Sequence, residues 1–264
     1  MNILSAEALE VSYDDTVVLK GLYLRFERPE IVSLIGSNGS GKSTILKSIG
    51  RLLRPGKGTV LLNGRDIHSL PAAQVARMLS VLPQGPQAPD DLTVRDLVSY
   101  GRTPHRRIFG KGDEDDEAVI RWALRETSME SLAGRQVHTL SGGERQRAWI
   151  AMALAQKTEL LLLDEPTTFL DIHHQFEIME LLQRLNRKYR IMVIMVLHDL
   201  NHAARFSHRV IAVKGGCVVR DGSPGEVITE ETLGEVFGIR ARILSVGDSA
   251  CAGSIVCIPY GVCR

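Results

Sequence analysis

Residues 31–50 read IVSLIGSNGSGKSTILKSIG, and the order of residue types within them decides the fold. Ile31 to Ile35 is a compact apolar run of strand length, Gly36, Gly39 and Gly41 interrupt it, and the segment TILKSIG that follows has helical composition. A buried strand that feeds a glycine loop opening a helix is a unit of a mainly parallel α/β sheet. The loop itself, Gly36-Ser37-Asn38-Gly39-Ser40-Gly41-Lys42-Ser43, fits the G-x-x-x-x-G-K-[ST] pattern in the structural context that pattern requires. Glycines let backbone N–H groups turn toward phosphate oxygens, and the helix N-terminus, with Thr44 in its first turn, adds a favourable dipole. Lys42 is then the residue that reaches the β and γ phosphates, and Ser43 the one that ligates magnesium. The expected ligand is a nucleoside triphosphate with Mg2+.

Further along, Leu160 to Glu165 (LLLLDE) is a second apolar strand, ending in two acids. Asp164 is placed to hold the magnesium through its shell, and Glu165 to orient or deprotonate an attacking water. Ile191 to Leu197 is a third compact run, so three strands read as central and parallel. Leu22, Leu24 and Phe26 alternate with Tyr23 and Arg25, which predicts a half-buried antiparallel strand near the N-terminus. Val210 to Val213 and Cys217 to Val219, joined by Lys214-Gly215-Gly216, read as a closing hairpin. Residues 88–157 differ from both flanks, with no clear strand and helix-like segments near 93–101, 114–127 and 142–156. The expected organisation is an α/β domain over 1–240 with a helical subdomain inserted at 88–157, then a tail at 241–264.

The chain has 264 residues, 44% hydrophobic and 24% charged, enough for a sizeable core and unlike a disordered or disulfide-dense chain. With 32 Lys+Arg against 31 Asp+Glu, the net charge of +1 removes the electrostatic case for a dedicated nucleic-acid binder. The apolar runs are far short of the roughly 20 residues a membrane-spanning helix needs. No secretion signal is visible at the N-terminus, and Cys251, Cys257 and Cys263 crowd into the tail while Cys217 stands apart, so a reduced, cytosolic chain with plain tail thiols is expected. The acidic run Asp113 to Glu117 (DEDDE) reads as a solvated helix start. His198 and His202 have the spacing of a metal pair but lack the Glu of H-E-x-x-H, and His173 and His174 read as helix-surface residues.

At Leu140 to Arg147 the chain reads LSGGERQR, which resembles the signature motif of the ABC-type ATPases. The resemblance covers about residues 3–240 and implies an ABC ATPase fold with ATP and Mg2+ as cofactors. In that family the signature binds ATP held by the opposite protomer, so one phosphate loop implies a homodimer. Ser141, Gly142 and Gly143 would present a hydroxyl and backbone N–H groups at a helix start, and Ser141 with Glu144 also fits a capping box. By the same resemblance Tyr13 stacks on adenine, Gln84 in VLPQG contacts magnesium and water, and His198 contacts the γ-phosphate. Thr168-Phe169-Leu170-Asp171 resembles the D-loop with Thr where Ser is usual, so Asp171 joins the nucleotide-binding set.

Tyr100 to His105 (YGRTPH) and Leu170 to Gln175 (LDIHHQ) resemble the subgroup serving iron-siderophore, haem and cobalamin importers. That subgroup implies two separate membrane permease subunits, indirectly a substrate-binding protein, and a peripheral position on the cytoplasmic face of the membrane. Gly85 to Asp91 (GPQAPDD) suits a hinge lining the permease dock. A soluble ABC ATPase acting on nucleic acid or ribosomes is the alternative. It calls for tandem ATPase domains, a long coiled coil or a basic arm, none of which is visible here.

Overall fold

The computed structural model describes residues 3–106, 114–245 and 255–263. It comprises two compact units, Met1–Ser69 with Met192–Arg264, and Leu70–Ile191. In the first, β1 (Leu4–Tyr13) and β2 (Thr16–Phe26) pair antiparallel from Leu4↔Phe26 to Tyr13↔Thr16. Leu22, Leu24 and Phe26 are buried while Tyr23 and Arg25 face water, as their alternation predicts. Next, β3 (Ile31–Ile35), buried at every position, runs through the glycine loop into α1 (Lys42–Ile49). Then β4 (Lys57–Leu62) and β5 (Arg65–Asp66) complete an antiparallel sheet of order β2-β1-β4-β5.

The second unit begins with α2 (Ala72–Ala76) and β6 (Leu79–Leu82). Three helices follow, α3 (Val94–Tyr100), α4 (Glu114–Glu126) and α5 (Gly142–Ala155), at the places their patterns predict. After them come the fully buried β7 (Leu160–Asp164), parallel to β6 in the register Leu79↔Leu160 to Leu82↔Leu163, and α6 (Ile172–Tyr189). The YGRTPH string ends α3 and ties the helices together. Arg102, 5% exposed, donates from Nε to Asp116 Oδ1 at 2.7 Å and from Nη1 to the Ala155 carbonyl at 2.8 Å, where α5 ends. His105 Nε2 bonds the Gln156 carbonyl at 2.8 Å. The reading of the acidic run as solvated is therefore corrected at Asp116, which is 8% exposed and paired to a buried guanidinium. Asp113 lies outside the described residues.

The first unit resumes with β8 (Met192–Val196), α7 (Leu200–Phe206), β9 (Arg209–Lys214) and β10 (Cys217–Gly222). In this unit β3 lies between β8 and β9, parallel to both, and β10 turns back antiparallel on β9 through Gly215-Gly216. Two short helices, α8 (Pro224–Val227) and α9 (Glu230–Phe237), lead to an antiparallel hairpin of β11 (Ile239–Ser245) and β12 (Ile255–Val262). The tail thus has a built element, and its thiols differ. Cys257 is buried in β12, Cys263 and Cys217 are exposed, and Cys251 lies outside the described residues. Among the described residues no helix is long and apolar enough to cross a membrane.

Candidate functional site

In the first unit the phosphate loop is built around Gly36 and Lys42. Gly36 has φ +153, and a Cβ there would stand 2.2 Å from the Val213 carbonyl oxygen, so the close approach of β9 excludes any side chain. Lys42, 5% exposed, donates from Nζ to the carbonyls of Gly36 at 2.9 Å and Ser37 at 2.8 Å, with a longer contact to Ser40 Oγ at 3.5 Å. The loop is wrapped on its own lysine, and the long contact is the one a phosphate oxygen most readily displaces. Gly216, in the β9–β10 turn, donates to the Ser40 carbonyl at 3.0 Å and braces the loop from below. The tip, Ser37 to Gly39, is exposed, Ser43 is half-buried, Thr44 is buried, and Gly41 caps α1 in the left-handed conformation. Tyr13, at the end of β1, is 44% exposed, the condition for stacking on a base.

His198 is exposed just after β8. Asp199 caps α7, accepting at Oδ1 from the N–H of Asn201 at 2.7 Å and of His202 at 2.9 Å. His202 turns inward, 4% exposed and edge-on to Phe206, and burial lowers its pKa. The two imidazoles share no exposed helix face, and no group of three metal-ligating side chains occurs among the described residues.

In the second unit Asp164 closes β7, 6% exposed, and Glu165 leaves the strand at φ +52. Gln84 donates from Nε2 to Glu165 Oε2 at 2.6 Å, and Thr168 donates from Oγ1 to the same oxygen at 3.0 Å. The amide N–H and the hydroxyl therefore fix one carboxylate oxygen. A cavity of about 290 Å³ adjoins them, lined among others by Gln84, Gly142, Trp149, Asp164, Glu165 and Phe169.

The signature sits at the head of α5. Ser141 Oγ accepts from Glu144 N at 3.3 Å, and Ser141 N donates to Glu144 Oε2 at 2.9 Å, a complete capping box that holds the Glu144 carboxyl below its ordinary range. Gly143 is buried, and a Cβ there would stand 2.0 Å from His174 Cδ2. His174 is hence not a plain surface residue. Its ring packs on the signature glycine and its Nδ1 bonds Asp171 Oδ1 at 2.8 Å, whereas His173 is exposed. Asp171 caps α6, and the His174 N–H, followed by its ring, lowers the Asp171 pKa.

Sequence spacing identified the loop, the strand-end acids and the signature, but not the Thr168 hydroxyl on Glu165 or the His174 ring on Gly143. The only signal for the first was a hydroxyl residue three positions after Glu165, the spacing of a turn.

A strand, glycine loop and helix with the lysine drawn into the loop, together with a strand ending in an acid pair, define a P-loop nucleoside triphosphatase. The family model for ABC transporters matches residues 19–168, and the chain belongs to the ABC transporter ATPase family. It is 52% identical over 245 residues to the iron(3+)-hydroxamate import ATP-binding protein FhuC of Bacillus subtilis, covering 93% of this chain and 91% of that one. Among solved structures it resembles a transporter described as of metal-chelate type, in an inward-facing conformation, with TM-score 0.84 and 26% identity over 99% of this chain and 98% of that one. It also resembles a dimeric bacterial ABC transporter cassette, with TM-score 0.74 and 30% identity over 84% of this chain and 98% of that one. The chain is an ABC ATPase, binding ATP and hydrolysing it in the service of transport.

Proposed function

We propose that this chain is the ATP-binding subunit of an importer for iron(III)–siderophore complexes, working as a homodimer with two permease subunits on the cytoplasmic face of the membrane. A substrate-binding protein delivers the chelate from the other side. The observation that carries the cargo class is the identity across nearly the whole chain to an iron-hydroxamate import subunit. Haem and cobalamin are the neighbouring cargoes of the same subgroup.

Each residue's role follows from its chemistry. Lys42 and the N–H groups of 36–43 hold the β and γ phosphates, and Tyr13 stacks on adenine. Ser43, Asp164 and Gln84 offer a hydroxyl, a carboxylate and an amide oxygen, the hard oxygen set that suits Mg2+. The buried placement of Asp164 fits a cation-binding carboxylate, and Gln84 keeps its carbonyl oxygen for the metal because its N–H serves Glu165. Magnesium, when bound, neutralises charge on the transferring phosphoryl group. Glu165 orients and deprotonates water, and His198 hydrogen-bonds the γ-phosphate. Ser141, Gly142, Gly143 and Asp171 act on the nucleotide held by the second copy. The helical insertion 88–157 then moves as a body after Gln84, with Gly85 to Asp91 as hinge and Ala88 in the permease dock.

The test is uptake of radioiron-labelled ferric hydroxamate in a strain lacking this gene. Restoring the parent gene should restore uptake, and Lys42→Ala should not. Restored cobalamin uptake without iron uptake, or co-purification with ribosomes rather than with permease chains, would overturn the cargo assignment.

A further inference from the structure

The cysteine-bearing tail has no part in the site described above, yet it is bonded to the loop that carries His198. We propose that the C-terminal hairpin is a strap that positions the His198 loop, with Asn201 as its positioning residue. The inference rests on the reading that His198 meets the γ-phosphate.

The Asn201 side-chain amide grips the backbone of Cys257 in both directions. Cys257 N donates to Asn201 Oδ1 at 2.8 Å, and Asn201 Nδ2 donates to the Cys257 carbonyl at 3.3 Å. For one residue the amide stands in for a neighbouring strand. A two-stranded hairpin is marginal by itself in water, and β12 lies against α7, where the amide sits.

On the other side of His198, Leu197 N donates to the Leu34 carbonyl at 3.1 Å, which fixes the end of β8 to β3. The backbone on either side of His198 is anchored, by the central strand before it and by the Asp199–Asn201 cap after it. Only the second anchor depends on the tail. Cys257 is 3% exposed, and burial followed by the Asp199 charge raises its thiol pKa, so the side chain packs as an apolar group. The grip itself uses only main-chain atoms of Cys257.

Three variants of the purified full chain separate these roles by steady-state ATP hydrolysis. Asn201→Ala removes both bonds, Cys257→Pro removes the N–H alone, and Cys257→Ala leaves both in place. Two lost hydrogen bonds at a positioning contact predict a fall in kcat of roughly tenfold for Asn201→Ala. A smaller fall is expected for Cys257→Pro and parental turnover for Cys257→Ala, with KM for ATP held within about twofold because the phosphate loop is untouched.

Parental kcat in Asn201→Ala, or loss of kcat and ATP affinity together, overturns the strap. If Asn201→Ala does not fold, Cys257→Pro gives the same measurement. Failure of both to yield soluble protein assigns the contact to stability alone and likewise overturns the proposal. His198→Ala, measured alongside, distinguishes the levels: parental turnover there removes the γ-phosphate reading beneath the proposal, whereas impaired turnover with parental Asn201→Ala removes the strap only.

Discussion

Glu165 pays for its position with a left-handed backbone, φ +52, a conformation that costs a non-glycine residue about 1–2 kcal/mol. Thr168 offsets part of that cost, since its backbone N–H closes the turn onto the Glu165 carbonyl at 3.3 Å while its hydroxyl binds the carboxylate. A hydrogen bond to a charged group is worth about 1.5–3 kcal/mol, so Thr168→Val should lower kcat roughly tenfold or more and Thr168→Ser should restore most of it. Equal turnover in Thr168→Val and parent, measured under saturating ATP, would show that the carboxylate does not depend on the Thr168 hydroxyl.

Lys42, Ser43, Asp164 and Ser141 stand out in the sequence because each lies in a local pattern, within one turn or one strand end. The ring of His174 on Gly143 was not, because it joins two helices whose approach no local pattern encodes.

Helices α3, α4 and α5 are held at one corner by Arg102, which spans from Asp116 on α4 to the last carbonyl of α5. The acidic run looked solvated because composition describes a segment and not its partner, and the partner guanidinium lies in a different helix's ending. Removing one member of a buried ion pair leaves a buried charge uncompensated, at a cost of about 3–5 kcal/mol. Asp116→Asn should therefore lower the urea-unfolding free energy by roughly 3 kcal/mol. A change below about 0.5 kcal/mol, the range of ordinary surface substitutions, would show that the pair is solvated after all.

Helix α7 carries a different signature, in pH. Burial first, and then Arg205, lower the pKa of His202 against the opposing pull of Asp199, and burial likewise lowers that of His68. A base with a depressed folded pKa binds protons better when unfolded, so its contribution is complete above the ordinary value of 6.5 and is lost as pH falls below it. A second loss should begin as pH falls through the ordinary value of 4.5, where the unfolded chain takes up a proton that folded Glu144, held low by the Ser141 N–H, does not yet accept. Thermal unfolding between pH 8 and 5 should show the first decline, and His202→Phe should shrink it. An unchanged decline in that variant would place the titrating group elsewhere. The β11–β12 hairpin escaped the sequence reading because Pro259 and Gly261 break the alternation that marks a strand.

For the whole molecule, a net charge of +1 and an ordinary composition said little beyond excluding classes, and the order of motifs along the chain said most. Phosphate loop, Gln84, signature, acid pair and His198 fall in the sequence that one family uses, which made fold and chemistry legible together. The cargo was less so, because motifs that bind and hydrolyse ATP read the same whatever is transported.

The central claim is that ATP is shared between two copies, one giving the phosphate loop and the other Ser141. Glu165→Gln keeps the shape of the side chain and removes its basicity, so hydrolysis should stop while binding persists. Sedimentation of this variant with ATP and Mg2+, with ADP, and without nucleotide is the direct measurement. The account predicts a dimer with ATP and smaller species in the other two conditions, a shift that Lys42→Ala in the same background should erase. Identical sedimentation with and without ATP, under conditions where ATP is bound, would contradict it.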